Sequence, residues 1–269
     1  MAPPDRRSIL DEILAAKRDE ATALAPERAR LEREAAAAPA VRPFAPALTS
    51  GDRIAVIAEI KRRSPSKGEL APDLDAPTTA KAYAAGGASA LSVLTDARWF
   101  GGGLDDLRAA REATDLPVLR KDFTVDPVQI YEARAAGADA ILVIVNAIPD
   151  DGALRDLRET AEGLGMAALV EVDDAPGLER SLASGATVVG ITNRDLHTFG
   201  EDLSTAERLA VALPDAVVTV AESAIRGPAD AERMAAAGFD AVLVGEHLVR
   251  AADPEAVVAE LRVARRGGA

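Results

Sequence analysis

The segment AAGADAILVI, at residues 135–144, places a glycine between an alanine-rich stretch and a short apolar run. Three further segments repeat this order: AAGGASALSV at 84–93, ASGATVVGIT at 183–192 and AAGFDAVLVG at 236–245. A glycine just after a helix is typical of the left-handed position that ends it, because a Cβ atom makes that conformation costlier. The repeat therefore predicts four junctions at which a helix ends and a strand begins.

Eight apolar runs, including those four, are interpreted as strands separated by longer amphipathic helices. The runs cover residues 54–60, 90–94, 117–119, 140–145, 167–170, 188–191, 217–221 and 241–244. Nearly continuous apolar character is typical of parallel strands that helices cover on the outside. The pattern predicts an α/β fold, a (β/α)8 TIM barrel. The alternative is an open doubly wound sheet, whose dinucleotide-binding form needs GxGxxG after its first strand; the GGG at 101–103 instead follows the second run.

A helical extension is predicted before the barrel, over residues 1–50. Apolar residues recur at helical spacing between about residues 6 and 38, and the proline-rich PAVRPFAP at 39–46 ends this stretch. Residues 54–250 are then the barrel core. We expect residues 1–269 to form a single domain.

The composition excludes several classes of function. The chain of 269 residues has a net charge of −13, which argues against nucleic-acid binding, and it has no cysteine and two histidines, which leave little for a metal site. No apolar run reaches the roughly 18 residues of a membrane helix, and charges interrupt the amino-terminal stretch where a signal peptide would be apolar. The expected location is cytoplasmic. Catalysis must rest on lysine, carboxylate, arginine or hydroxyl side chains.

Charged residues at strand ends are the main candidates for catalysis, because barrel active sites lie at the carboxyl ends of the strands. In VIAEIKRRSPSKG, at 56–68, alternation puts Glu59 and Lys61 on the face opposite Val56, Ala58 and Ile60. The same parity predicts that Lys121, Glu171 and Glu222 also point into the barrel mouth. Each charge alone could be the first solvated residue after a strand. Five together favour a site, since burying a charge is costly.

A phosphate site is predicted in the seventh and eighth loops, where backbone N–H groups of barrels often bind phosphate. The candidates are Ser223, Ala224, Gly245 and Glu246, with Lys61 as a cation and Ser64 in the first loop. The basic residues Arg62, Arg63 and Lys67 are interpreted as a surface turn. Trp99, Phe100 and Phe123 could flank a planar substrate or pack in the core.

These segments resemble the indole-3-glycerol-phosphate synthase family. The resemblance runs from Ser8 to about Pro254 and includes VIAEIKRRSPSKG, SVLTDARWFGGGLDDL, PVLRKDF, QIYEARAAGADAILVIV, LVEVDD, GITNRDL, VAESAIRG and VLVGE. It implies a carboxy-lyase of tryptophan biosynthesis that converts 1-(2-carboxyphenylamino)-1-deoxyribulose 5-phosphate into indole-3-glycerol phosphate, carbon dioxide and water. It implies no cofactor and no metal. The implied partner is this phosphorylated small molecule, rather than nucleic acid or a membrane, and the oligomeric state is not predicted.

By similarity, Lys121 is expected to be the general acid, Glu171 its partner acid or base, and Lys61 a second lysine for dehydration and phosphate contact. Glu59 and Glu222 resemble the carboxylates that position lysines and substrate. The implied substrate-binding residues are Ser64, Phe100, Phe123, Thr192, Arg194 and Ser223. Burial would lower the pKa of a catalytic lysine, whereas nearby glutamates would oppose that lowering.

The chain departs from the family pattern at two positions. Thr192 stands where a site asparagine is usual, and Ala224 replaces a phosphate-loop glycine. Two other functions are therefore weighed: a phosphosugar isomerase on a similar barrel, which would lack EIKRRSPSKG, and a diverged relative that binds a phosphorylated ligand without turnover.

Overall fold

A computed structural model describes residues 8–195 and 200–265, and it confirms the barrel. Eight parallel strands close on themselves; each pairs with the next along the chain, and the last pairs with the first. We number them β1 Ala55–Ile60, β2 Ala90–Leu94, β3 Val118–Lys121, β4 Ala140–Ile144, β5 Ala167–Val172, β6 Val188–Thr192, β7 Val218–Glu222 and β8 Ala241–Val244. In the first loop, Arg63–Ser64 and Gly68–Glu69 form a small antiparallel hairpin.

Several strands extend one or two residues beyond the apolar runs. Lys121 is in register with Leu94, Glu171 with Ile144, and Glu222 with Thr192. Parallel pairing uses backbone groups and so continues past the last apolar side chain. These charged residues are therefore the last or nearly last residues of buried strands, and the interpretation of them as solvated residues after the strands is wrong.

Helices alternate with the strands and cover the barrel. They are α1 Ile9–Leu24, α2 Arg28–Ala37, α3 Phe44–Thr49, α4 Ala76–Ala85, α5 Ala97–Phe100, α6 Leu104–Ala113, α7 Pro127–Ala135, α8 Asp151–Gly163, α9 Ala175–Ala183, α10 Ser204–Ala210, α11 Pro228–Ala236, α12 Glu246–Val249 and α13 Pro254–Leu261. The junction glycines Gly87, Gly137, Gly185 and Gly238 all have φ between 87° and 97°. The predicted left-handed junctions are confirmed.

The amino-terminal extension is helical as predicted, but it is not one helix. Ala25–Glu27 forms a 3₁₀ turn between α1 and α2, at a proline that cannot donate a helical hydrogen bond. The turn lets α2 pack along α7. Arg42 then bonds to Leu116 and Asp139, just before β3 and β4, and α3 packs against strands at this amino-terminal end of the barrel. Among the described helices of the extension, α1 is the one that reaches the barrel mouth, where Lys17 contacts Asp96 and Asp122.

None of the described helices is long and apolar enough to cross a membrane. The single-domain organisation, with an extension over residues 1–50 and a core over 54–250, stays a prediction.

Candidate active site

A cavity of about 550 Å³ opens at the carboxyl ends of the strands. The structure brings together there most of the side chains that the sequence predicts for a site. They are Glu59, Lys61, Phe100, Lys121, Phe123, Glu171, Thr192, Arg194, Glu222, Ser223, Ala224, Gly245 and Glu246. The predicted parity is therefore correct: inward positions of different strands meet in one place.

Lys121 lies between two carboxylates. Its Nζ is 2.8 Å from Glu171 Oε2 and 2.5 Å from Glu222 Oε2. Burial lowers the pKa of Lys121, but the charges of Glu171, Glu222 and Glu59 outweigh burial and raise this pKa well above its usual value. The sequence did not show whether burial or the nearby glutamates would dominate the pKa of this lysine. In the structure, the glutamates dominate. Lys121 therefore carries its proton at neutral pH, although the raised pKa makes it a weaker acid than a lysine without carboxylate neighbours.

Glu222 is almost fully buried in the cavity, with 1% of its surface exposed. Burial, with the nearby negative charge of Glu171, raises the pKa of Glu222 to about 8, although Lys121 opposes this shift. A carboxyl group whose pKa is raised in this way can hold a proton near neutral pH, next to the ammonium of Lys121.

Gly190 makes room for this carboxylate. A Cβ atom on Gly190 would lie 2.2 Å from Glu222 Oε1 and 3.2 Å from Leu169 Cδ1. Gly190 has no positive φ, so its role is space rather than backbone freedom. Sequence reasoning missed this residue, because the neighbour that excludes a side chain comes from the next strand.

A second ion pair lies across the cavity, where Lys61 Nζ donates to Glu59 Oε1 at 2.5 Å. Gly245 directly follows β8, beside this ion pair. A Cβ atom on Gly245 would lie 2.1 Å from Glu59 Oε1 and 3.0 Å from Lys61 Nζ. Gly245 therefore lets the pair approach the eighth loop, which the sequence predicts as part of a phosphate site.

The seventh loop has a strained backbone. Ser223 and Ala224 have φ values of 65° and 62°, and within the described residues they are the only non-glycine residues with positive φ. A left-handed conformation costs about 1–2 kcal/mol for a residue with a Cβ atom. Ala224 therefore has a backbone conformation that a glycine would adopt at lower cost.

Thr192 and Asn193 point to different places. Thr192 lines the cavity, and its Oγ1 donates to Ser223 Oγ at 3.3 Å. Asn193 Nδ2 donates to the Glu222 carbonyl oxygen, and its Oδ1 accepts from the Ala206 amide. Asn193 is thus occupied in holding the backbone and does not replace the missing amide at position 192.

The first loop corrects one sequence expectation and adds to another. Ser64 does not line the cavity; its Oγ accepts the backbone N–H of Lys67 and shapes the turn. Lys67 is exposed, as the surface-turn interpretation expects, and it also lines the cavity. Arg62 pairs with Asp106, and Arg63 donates to carbonyl groups of α5. These two arginines fix the loop to its neighbours.

One wall of the cavity is apolar. The rings of Phe100 and Phe123 lie 6.3 Å apart, and Leu142 and Ile144 face the same space. Sequence reasoning missed both aliphatic residues, although their parity in β4 matches that of the charged residues. Trp99 does not line the cavity; the Arg98 guanidinium lies over its ring at 4.5 Å.

Sequence reasoning also missed three basic side chains that line the cavity near the predicted phosphate loops, namely Arg226, Arg250 and His247. Arg226 and Arg194 both pair with Glu201. His197 lies outside the described residues. Within residues 8–195 and 200–265, no group of three or more histidine and carboxylate side chains is arranged to hold a metal ion.

Comparisons with known proteins agree with this geometry. The family model described as "Indole-3-glycerol phosphate synthase" matches residues 10–261. An indole-3-glycerol phosphate synthase from a Nocardioides species is 51% identical over 93% of this chain and 96% of its own, and one from Kineococcus radiotolerans is 48% identical over 94% of each. Among solved structures, 3-hexulose-6-phosphate synthase from Salmonella typhimurium shares the fold, with a TM-score of 0.62, 15% identity and coverage of 77% and 96%. The chain therefore belongs to the indole-3-glycerol phosphate synthase family.

Proposed function

We propose that this chain converts 1-(2-carboxyphenylamino)-1-deoxyribulose 5-phosphate into indole-3-glycerol phosphate, carbon dioxide and water. The observation that carries the proposal is the position of Lys121, a partly buried ammonium held by Glu171 and Glu222 in a cavity with an apolar aromatic wall. The substrate has a phosphate at one end, a benzene ring at the other and a carbonyl between them. The proposed anion site matches the phosphate, the aromatic wall matches the ring, and Lys121 lies between them as the proton donor.

In this proposal, Lys121 donates a proton to the substrate carbonyl oxygen while the ring carbon that bears the carboxylate attacks the carbonyl carbon. Loss of carbon dioxide then restores the aromatic ring. Loss of the new hydroxyl as water, together with a proton, completes the indole. Glu171 accepts and returns protons beside Lys121, and Lys61 with Glu59 serves dehydration. Positioned side chains speed such proton transfers. Their charges also stabilise the charge that develops in the transition state, and this effect is strong in a site that excludes water.

The phosphate is proposed to lie on Ser223, Ala224, Gly245 and Glu246, within reach of Lys61. Phe100 and Phe123 would contact the aromatic ring, and Thr192, Arg194 and Ser223 the remaining polar groups. Ser64 would act only by shaping the first loop. The net charge of −13 supports the proposal that the protein works without nucleic acid.

Turnover is the direct test. The purified protein is mixed with the substrate, and indole absorbance and fluorescence are followed, with release of carbon dioxide as a second readout. Formation of an indole product supports the proposal. Binding without turnover would instead favour a non-catalytic binder of a phosphorylated ligand, the alternative that Thr192 and the strained Ala224 raise.

Ala224→Gly is expected to tighten the binding of inorganic phosphate about 5-fold, equivalent to about 1 kcal/mol. Glycine adopts the left-handed conformation freely and leaves space for a closer approach of the anion. The measurement is the inhibition constant of phosphate, which should compete with substrate; Lys61→Ala should weaken this inhibition. An unchanged inhibition constant together with altered stability would show that the strain affects folding alone.

Thr192→Asn is expected to raise kcat/KM, because an amide reaches farther than a threonine hydroxyl and offers two N–H groups. One added hydrogen bond corresponds to an increase in kcat/KM of about 2- to 150-fold. The upper end applies when the group bound by the amide is charged. Steady-state kinetics measure the change, with circular dichroism to check folding. A folded variant no better than the parent would mean that the loop already compensates, for instance through the Thr192–Ser223 contact.

A further inference from the structure

A cluster of buried charges lies behind the wall of the cavity and is used by no step of the proposed reaction. Lys17 of α1 is 2% exposed. Its Nζ is 2.8 Å from Asp96 Oδ2, 3.0 Å from Asp122 Oδ1 and 2.9 Å from Glu20 Oε2. Asp96 and Asp122 also border the cavity. One lysine of the extension thus joins the loops that follow β2 and β3.

Each of these carboxylates also holds a segment of backbone. Asp96 caps α5, accepting the Trp99 N–H at 2.6 Å, and α5 ends at Phe100. Asp122 accepts the Phe123 N–H at 2.9 Å, and it directly follows Lys121. Moving either carboxylate would therefore move a residue that lines the cavity.

The two carboxylates depend on Lys17 to different degrees. Asp122 also pairs with Arg120 at 3.3 Å and accepts the Thr95 hydroxyl at 2.7 Å. In the described part of the chain, Lys17 is the only cation within ion-pair distance of Asp96. Burial alone would lower the pKa of Lys17, but its carboxylates outweigh burial and raise it, so the charge persists. Without Lys17, Asp96 would be a buried charge without a counter-ion, which is costly.

We propose that Lys17 is a positioning residue for the reaction: by joining Asp96 to Asp122, it sets the Phe100–Phe123 wall relative to Lys121. The inference rests on the proposed function. It assigns the amino-terminal extension a part in forming the active site, in addition to covering the barrel. The competing explanation is that Lys17 only anchors α1 and contributes to stability alone.

Lys17→Met tests the proposal, because methionine keeps the length of the side chain and removes its charge. We expect kcat/KM to fall about 10- to 100-fold, the cost of misplacing reactive groups by about an ångström. The second readout is the fluorescence of Trp99, the single tryptophan, whose emission maximum should shift in the folded, unliganded variant. Both are measured well below the unfolding temperature. Lys17→Arg, which keeps the charge, should recover part of the lost activity.

The matched control is Arg42→Met, which removes a cation that anchors the same extension at the opposite end of the barrel through the Leu116 and Arg111 carbonyl groups. It should lower the unfolding temperature and leave kcat/KM and Trp99 emission unchanged. Equal losses of kcat/KM in the two variants, or unchanged kcat/KM and emission in Lys17→Met, would overturn the proposal.

Two further outcomes keep the test decisive. If Lys17→Met does not fold, Lys17→Arg carries the test alone: the broader, planar guanidinium should lower kcat/KM and shift Trp99 emission, and the absence of both effects would overturn the proposal. If the parent protein makes no indole product, the proposed function fails; Trp99 emission, which needs no turnover, still reports whether Lys17 positions α5.

Discussion

Lys121→Met is expected to lower kcat by about 10²- to 10⁴-fold while substrate affinity stays within about an order of magnitude. The variant removes the only group in the proposal that donates a proton to the carbonyl oxygen. The aromatic wall and the phosphate loops, which supply most of the binding, are untouched. Methionine also leaves Glu171 and Glu222 without their cation, but the pKa of Glu222 is already raised to about 8, so one of the pair takes up a proton.

The measurements are single-turnover rates and the dissociation constant of the substrate, both taken on protein shown to be folded. Lys81→Met is the control, since Lys81 is exposed on α4 and does not line the cavity. A Lys121→Met variant that keeps more than about half of the parent rate would remove Lys121 from the mechanism.

Gly190→Ala is expected to lower kcat/KM about 10²-fold through a single methyl group. That methyl group would lie 2.2 Å from Glu222 Oε1, so the carboxylate must leave its place or β6 must shift. Either movement disrupts the 2.5 Å contact between Glu222 and Lys121. Overpacking of this kind also lowers the free energy of unfolding, by about 1–3 kcal/mol.

Gly163→Ala is the matched control, because a Cβ atom there meets nothing within 4 Å and the position ends helix α8. It should leave kcat/KM unchanged and should not destabilise the protein. In a Glu222→Ala background, the Gly190→Ala change should cost little further rate, since the side chain that it displaces is already absent. Additive losses in the double variant, or a single variant within twofold of the parent, would contradict the steric explanation.

The sequence by itself determined the architecture and most of the site. Repeated glycine junctions and apolar runs are local patterns, and a (β/α)8 barrel is the closed arrangement that buries eight such runs. Strand parity is also local, so Glu59, Lys61, Lys121, Glu171 and Glu222 could be assigned to one face before their partners were known. The family resemblance added the reaction, which parity cannot supply.

Only the tertiary structure decided the features that depend on neighbours distant in the chain. Gly190 is required by a glutamate of the next strand, and Gly245 by an ion pair of the first. The pKa of Lys121 depends on carboxylates 50 and 101 residues away, and Lys17 finds its partners in two separate loops. Excluded volume and Coulomb energy depend on distance in space, whereas sequence patterns report only separation along the chain.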